Sequence, residues 1–271
     1  MQLTNSIKSI AIGSFDGIHK AHKVLTNQVE AVVIIERNRG SVTAGYRRSL
    51  YLQNFCFFYH FNTIKLLTAK EFVGKLQEDF PALKTIVIGY DFAFGYKKEG
   101  DTKLLQELFD GEVIVVDEVK EKGISIHTRT IKEYIHNGEF FIVKELLGRN
   151  FRIGGKVIKG QGLGKKELVP TLNLKVYDCH LPKGGVYASC TKIDNRWLKS
   201  VTFLGHRVTT DGLFAIETHI LDKDIGIVSG FVEIEFIEFI RENQKFNSLE
   251  ALKEQIKKDI EKVGLLTANI N

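Results

Sequence analysis

The apolar pattern of this chain changes once, near residues 148–150, and that change constrains the fold more than any other feature. Before it, short apolar runs at residues 7–12, 31–35, 85–88 and 113–116 read as strands. Stretches at 21–30, 70–77, 103–109 and 131–136 read as helices. The run at 31–35 shows no alternation, as a strand covered on both faces would not. Strands separated by helical segments predict a parallel sheet with crossover helices over residues 1–148. After the change, the segments KVIKG, GVYASCTKI, RWLKSVTFLG, FAIETHIL and GFVEIEFIEFI are short, β-prone and bounded by glycine. Turn signals fall at GQGLGKK, Asp194-Asn195 and Asp211-Gly212, which predicts a closed or nearly closed antiparallel barrel over residues 149–271. A helix at 248–263 ends the chain, with Ser248 as its cap and Glu250 and Glu254 near its positive end. Leu249, Leu252, Ile256 and Ile260 recur at helical spacing and form its packing face.

Composition narrows the function classes. A length of 271 residues with 44% apolar content suits two ordinary folded domains. The net charge of +5 suits anionic ligands but is too weak and dispersed to argue for a nucleic-acid-binding face. Cys56, Cys179 and Cys190 are scattered without a C-x-x-C pair, which argues against a disulfide framework or a zinc site and for a reduced, cytoplasmic setting. Cys179 and Cys190 read as small buried hydrophobes. The N-terminus lacks the apolar stretch of a signal peptide, and no run approaches the ~20 apolar residues that cross a bilayer. No membrane partner is expected.

Chemistry concentrates in strings that follow predicted strands. The first runs Gly13-Ser14-Phe15-Asp16-Gly17-Ile18-His19-Lys20-Ala21-His22-Lys23. Glycines at 13 and 17 let a ligand approach the backbone, and a helix start after them aims N–H groups at an anion. His19 and His22 share a helical face, and with Lys23 they can stabilise charge on a transferring phosphate. The plain alternative is a strand–turn–helix corner with two half-exposed histidines. The second string, Gly89-Tyr90-Asp91-Phe92-Ala93-Phe94-Gly95 through Gly100-Asp101, is either a ligand loop or a glycine-bounded loop with core phenylalanines. The third begins at Gly155 and passes Gly160, Gly162, Gly164, Lys165 and Lys166 to reach Pro170-Thr171-Leu172-Asn173. Closely spaced glycines can wrap phosphates with backbone N–H groups, although a plain glycine-rich hairpin has the same look. No G-K-[ST] opens a helix there, so it is not a Walker loop.

Taken in order, these strings resemble the bacterial bifunctional riboflavin kinase/FAD synthetase family. The first is similar to G-x-F-D-G-x-H-x-G-H of the nucleotidyltransferase superfamily, with Ala21 in place of glycine, and the second to the G-x-D-F-x-F-G segment of FAD synthetases. The third, with P-T-x-N, resembles the riboflavin kinase signature. So do Leu181-Pro182-Lys183-Gly184-Gly185-Val186-Tyr187-Ala188, Gly205-His206-Arg207-Val208-Thr209 and Ile216-Glu217-Thr218-His219. Besides Ala21, the chain departs from the family where Glu36-Arg37-Asn38-Arg39 replaces T-F-x-P-H-P, where Glu167-Leu168-Val169 replaces L-G-F, where Val208 replaces the proline of G-x-R-P-T, and where S-S-T-R-I-R survives only as residues 126–132.

The resemblance implies a Rossmann-like nucleotidyltransferase domain followed by a riboflavin kinase barrel. It implies riboflavin, FMN and ATP as small-molecule partners and Mg²⁺ held by Thr171 and Asn173. Glu217 is implied as catalytic base, and His19 and His22 as catalytic groups for adenylation; His219, on the same strand face as Glu217, reads as structural or as a support for the residues that act on substrate. Gly13, Phe15, Asp16, Gly17, Lys23, Gly155, Gly160, Gly162, Gly164 and Lys165 are implied at nucleotide or phosphate. Asp91, Phe92, Arg241 and Phe246 are implied at the flavin, with a loop anchor as the alternative for the last two. A kinase with a degenerate N-terminal domain, and a non-catalytic flavin- or RNA-binding regulator, remain as alternatives.

Overall fold

The computed structural model describes residues 3–37, 41–159, 169–206, 214–221 and 225–268. Contacts divide the chain into two compact units, Met1–Thr130 and Ile131–Asn271.

In the first unit the chain runs β1 (Ser9–Gly13), α1 (Lys20–Thr26), β2 (Ala31–Glu36), β3 (Phe55–His60), α2 (Phe61–Ile64), α3 (Ala69–Asp79), β4 (Thr85–Gly89), α4 (Thr102–Leu108) and β5 (Glu112–Val116), then a small ribbon of β6 (Lys120–Glu121) and β7 (Ile124–Ser125). The main sheet has the order β3-β2-β1-β4-β5, and every neighbouring pair is parallel. Alternate residues serve opposite layers. Ile10 and Ile12 of β1 pack with Phe72 and Leu76 of α3 and Leu105 of α4, while Ala11 packs with Leu25 of α1. Covering both faces explains why the strand runs are continuously apolar. The order reverses between β1 and β4, so the crevice beyond their carboxyl ends is the switch point where such sheets take ligands. Helix α3 starts on a capping box in which Thr68 Oγ1 accepts from Glu71 N–H (3.2 Å) and Glu71 Oε2 accepts from Thr68 N–H (2.7 Å).

Helix α5 (Thr128–Asn137) carries the chain across the division, and α6 (Phe140–Leu147) ends at Gly148, which is left-handed at φ 72°. Glycine tolerates that conformation without a Cβ clash, and the apolar pattern changes there. Next come β8 (Phe151–Ile158), β9 (Leu172–Val176), β10 (Gly185–Ile193), β11 (Arg196–His206), β12 (Phe214–Ile220), β13 (Phe231–Arg241) and α7 (Leu249–Leu266). The strands close a barrel in the order β10-β11-β12-β9-β8-β13, with β13 pairing back to β10. Asp194 and Asn195 both have positive φ (46° and 64°) and join Ile193 to Arg196, the two-residue turn whose twist matches a hairpin. Asp211-Gly212 and the GQGLGKK turn lie outside the described residues.

Ala188 and Val201 face α7, so the alternate residues of β10 and β11 point into the barrel. Ser189, Thr191, Ser200, Thr202 and Thr218 are fully buried and hydrogen-bond to one another at 2.7–3.1 Å. Buried hydroxyls without partners would cost about 1–3 kcal/mol each, and the closed network avoids that cost. On α7 the packing face uses Ile260 and Val263 rather than the whole expected stripe, because Leu249 at the helix start is exposed. Cys190 is buried as expected and its thiol is pushed up to about 11, chiefly by burial. Cys179 departs from expectation: it lies in the loop between β9 and β10, half-exposed.

Candidate functional site

The turn after β1 is strained and closed. Phe15 and Ile18 are left-handed at φ 47° and 40°, with Gly17 between them at φ 90°, and both side chains are buried. A β-branched residue there is an outlier costing roughly 1–3 kcal/mol, which the surrounding packing must hold in place. His19 caps α1: its Nδ1 accepts from His22 N–H at 3.2 Å, which puts the ring proton of neutral His19 on Nε2. The His19 and His22 rings stack at 3.5 Å between centroids, and Phe15 meets His22 edge-on at 5.1 Å. The expected histidine pair is therefore a stacked unit, with His19 buried and His22 half-exposed. Helix α1 is only 7 residues long and one of its leading N–H groups is occupied by His19, so its dipole is weaker than the sequence suggested. Lys23 is exposed on α1, and Lys20 pairs with Glu121 at 3.0 Å.

Sequence reasoning missed what holds Asp16. Its Oδ1 accepts from Thr43 N–H at 2.9 Å, and its backbone oxygen accepts from Thr128 Oγ1 at 2.9 Å. Thr43 O accepts from Arg48 Nε at 2.9 Å, and Arg48 forks onto Glu36 with 2.6 and 3.2 Å bonds. Side-chain exposure is 2% for Arg48 and 5% for Glu36. The departure Glu36 thus forms one half of a buried, bidentate ion pair, geometry that only a planar guanidinium supplies. The signal in the sequence was slight: a carboxylate continuing an apolar run needs a cation if it is buried, and residues 47–48 are an Arg-Arg pair. Asn38 and Arg39 lie outside the described residues, while the Arg37 guanidinium sits 4.5 Å from the Phe61 ring centroid.

Much of the segment after β4 is accounted for by packing. Phe94 bridges to Gly100, where an added Cβ would lie 2.7 Å from its ring. Gly95, at φ 74°, lets Ala69 approach, and Glu99 accepts the Ala69 N–H at 2.6 Å. Asp101 caps α4 through Leu104 N–H at 2.9 Å. Phe92 stacks on Phe94 at 5.6 Å and lies against the core, whereas Asp91 is exposed at the end of β4. Tyr90 and His127 meet at 3.3 Å. The first unit thus brings residues 13–19, Asp91 and the start of α5 to the carboxyl ends of β1 and β4.

In the second unit the expected groups meet on paired strands. Asn173 of β9 lies directly opposite Glu217 of β12, and Thr171 stands two residues before Asn173. Directly opposed residues in an antiparallel pair have Cβ atoms about 4.5–5.5 Å apart on one face. The pattern fits the metal expectation: hydroxyl, amide and carboxylate oxygens are the hard donors that Mg²⁺ takes, alongside phosphate oxygens. His219 Nδ1 donates to Pro170 O at 2.7 Å. Gly155 lies inside β8, where a Cβ would come within 2.9 Å of Lys175 O, so strand packing alone requires glycine there. Gly160, Gly162, Gly164, Lys165, Glu167 and Leu168 lie outside the described residues, as do Arg207, Val208 and Thr209. Gly185 is required by close approach, since a Cβ would stand 2.6 Å from Arg241 O. Arg241 grips Asp259 of α7 through Nε (3.0 Å) and Nη2 (2.7 Å), gives Nη1 to Glu242 O, and lies 5.8 Å from the Phe246 ring centroid. That geometry fits the loop-anchor reading of Arg241.

Comparison with known proteins follows the same division. Residues 147–266 match the family model described as riboflavin kinase, and residues 50–130 match the one described as FAD synthetase. The bifunctional riboflavin kinase/FMN adenylyltransferase of Pseudomonas fluorescens is 29% identical over 95% of this chain and 92% of its own. The protein of that name from Escherichia coli K12 is 26% identical over 92% and 90%. A crystal structure titled macrolide-efflux protein, from Streptococcus pneumoniae, superposes with a TM-score of 0.81 at 26% identity over 96% of each chain. Among the described residues no helix is long and apolar enough to cross a membrane. Both family models fall in order on the two units, and the relatives align along nine-tenths of both chains; the chain belongs to the bifunctional riboflavin kinase/FAD synthetase family.

Proposed function

We propose that the chain is a transferase that makes FMN from riboflavin and ATP in its second unit and FAD from FMN and ATP in its first. The observation that carries the kinase reading is the cross-strand pairing of Glu217 with Asn173. A primary alcohol is a poor nucleophile at neutral pH. Glu217 accepts the proton of the riboflavin 5′-hydroxyl as its oxygen bonds to the γ-phosphorus of ATP and the bond to ADP breaks. Thr171 and Asn173 would hold Mg²⁺, which supplies charge neutralisation on the phosphates. Placing Glu217 and Asn173 on neighbouring strands, with Thr171 just before β9, fixes base and metal ligand at once.

For adenylation, a phosphate oxygen of FMN attacks the α-phosphorus of ATP and pyrophosphate leaves. The stacked pair supports a role in stabilising the charge that builds there. His19 is oriented by its cap bond, and half-exposed His22 lies on it. Backbone near Gly13 and Gly17 would lie along the nucleotide, and Asp91 would border the flavin. The test supplies riboflavin, ATP and Mg²⁺ and separates the flavins by chromatography. Both FMN and FAD are expected. FMN without FAD would make the first unit a degenerate module, and neither product would overturn the proposal.

A further inference from the structure

The β9–β12 ladder stops where the P-T-L-N segment enters the barrel. It pairs Glu217 with Asn173 and Thr218 with Leu172, and goes no further. The next residues toward the entrance are Thr171 and Pro170, and proline has no N–H to offer a ladder. There a side chain holds the backbone by its carbonyl instead: His219 Nδ1 donates to Pro170 O at 2.7 Å. The acceptor is a carbonyl, so Nδ1 carries the proton in the neutral ring as well as in the charged one. Thr171 is thereby bracketed, with a tethered carbonyl before it and a laddered residue after it.

We propose that His219 is a positioning residue of the kinase site: its bond to Pro170 O sets the backbone from which Thr171 presents its hydroxyl to the magnesium–nucleotide complex. The inference rests on the reading of Thr171 and Asn173 as metal ligands. His219 shares a strand face with Glu217, two residues away, but acts through Pro170 rather than on the substrate.

Calorimetric titration of the full chain with ADP, with and without Mg²⁺, tests this, with Thr171→Ala as the reference. His219→Ala is expected to weaken Mg²⁺·ADP binding roughly 10-fold, the low end for losing a partner that orients a metal ligand. Binding of ADP alone should change less than about twofold, since the tether serves the metal ligand. His219→Asn places an amide N–H near the Nδ1 position and is expected to restore most of the affinity. His219→Gln carries its amide beyond reach and is expected to behave like alanine. Should His219→Ala fail to fold, the asparagine and glutamine variants decide, and equal affinities in those two overturn the proposal. Wild-type Mg²⁺·ADP affinity in His219→Ala, with Thr171→Ala impaired, also overturns it. An unimpaired Thr171→Ala removes the metal-site reading itself, and the inference falls with it.

Discussion

At the end of β1, Phe15, Asp16, Ile18 and His19 are buried, with Asp16 and His19 bonded to neighbouring backbone; on β9 and β12, Asn173 and Glu217 stay half-exposed. In the first region most motif residues shape a strained turn, and the chemistry is left to what that turn displays. In the second, the strand ladder does the shaping, and the Asn173 and Glu217 side chains keep partial exposure. Substitutions in the first region should therefore disturb structure and activity together. In the second they should remove activity from an intact barrel.

The sharpest form of that contrast is Glu217→Gln. It keeps the side-chain shape and loses the base, so FMN formation should fall roughly 10²–10⁴-fold. Trp197, the single tryptophan, lies on β11 and reports unfolding of the barrel alone, and its urea midpoint should not move. A rate near wild type would remove Glu217 from the mechanism, and a shifted midpoint would break the contrast. In the first region Arg48→Met leaves the Glu36 carboxylate buried without its partner, a loss of about 3–5 kcal/mol. Hydrogen exchange of the β1 and β2 amides should rise accordingly, and the double change Glu36→Met/Arg48→Met should recover much of the protection. Wild-type protection in the single variant would mean that the pair does not brace the turn.

His22→Ala should lower FAD formation from supplied FMN by about 10²–10³-fold, the scale for losing one donor to transition-state charge. Riboflavin phosphorylation should hold steady, because sites that share no partners behave independently and the two reactions are assigned to separate units. A parallel fall in both activities would contradict the assignment of the two reactions to separate units. The smallest effect is expected inside the barrel. Ser189 Oγ meets Ser200 O, Ser200 Oγ and Thr202 Oγ1 at 2.7–3.0 Å, and Ser189→Ala removes these bonds while Ser200 Oγ keeps Thr191 and Thr202 Oγ1 keeps Thr218. Trp197 fluorescence should show a loss of about 1–3 kcal/mol. A neutral outcome would show that the remaining hydroxyls re-pair.

Legibility in the sequence followed local chemistry. Strands β1, β2, β4 and β5, helices α1, α3, α4 and α5, the Asp194-Asn195 hairpin and the Ser248 cap were readable, because each rests on periodicity or on a turn residue within a few positions; helices α2 and α6 were not. Strand β3 was not. FCFFYH sits at the sheet edge, half-covered along its length, and shows neither alternation nor a clean buried run. Strand β9 escaped for a related reason: it is only 5 residues long, follows a proline and is held by partners far along the chain.

The sequence by itself determined the two-part architecture, the strand–turn–helix corner at residues 13–23 and the identity of the oxygen-bearing side chains at 171, 173 and 217. Tertiary structure decided what those residues stand next to. That Asn173 faces Glu217 across a ladder, that His219 donates to the Pro170 carbonyl beyond the ladder's end, and that Glu36 reaches Arg48 to brace Asp16 are matters of register and burial. The physical reason is range. Backbone propensity and side-chain period act over a few residues and leave their mark in order along the chain. Pairing register and the pairing of buried charges join residues 12 to 49 positions apart, and only packing selects them.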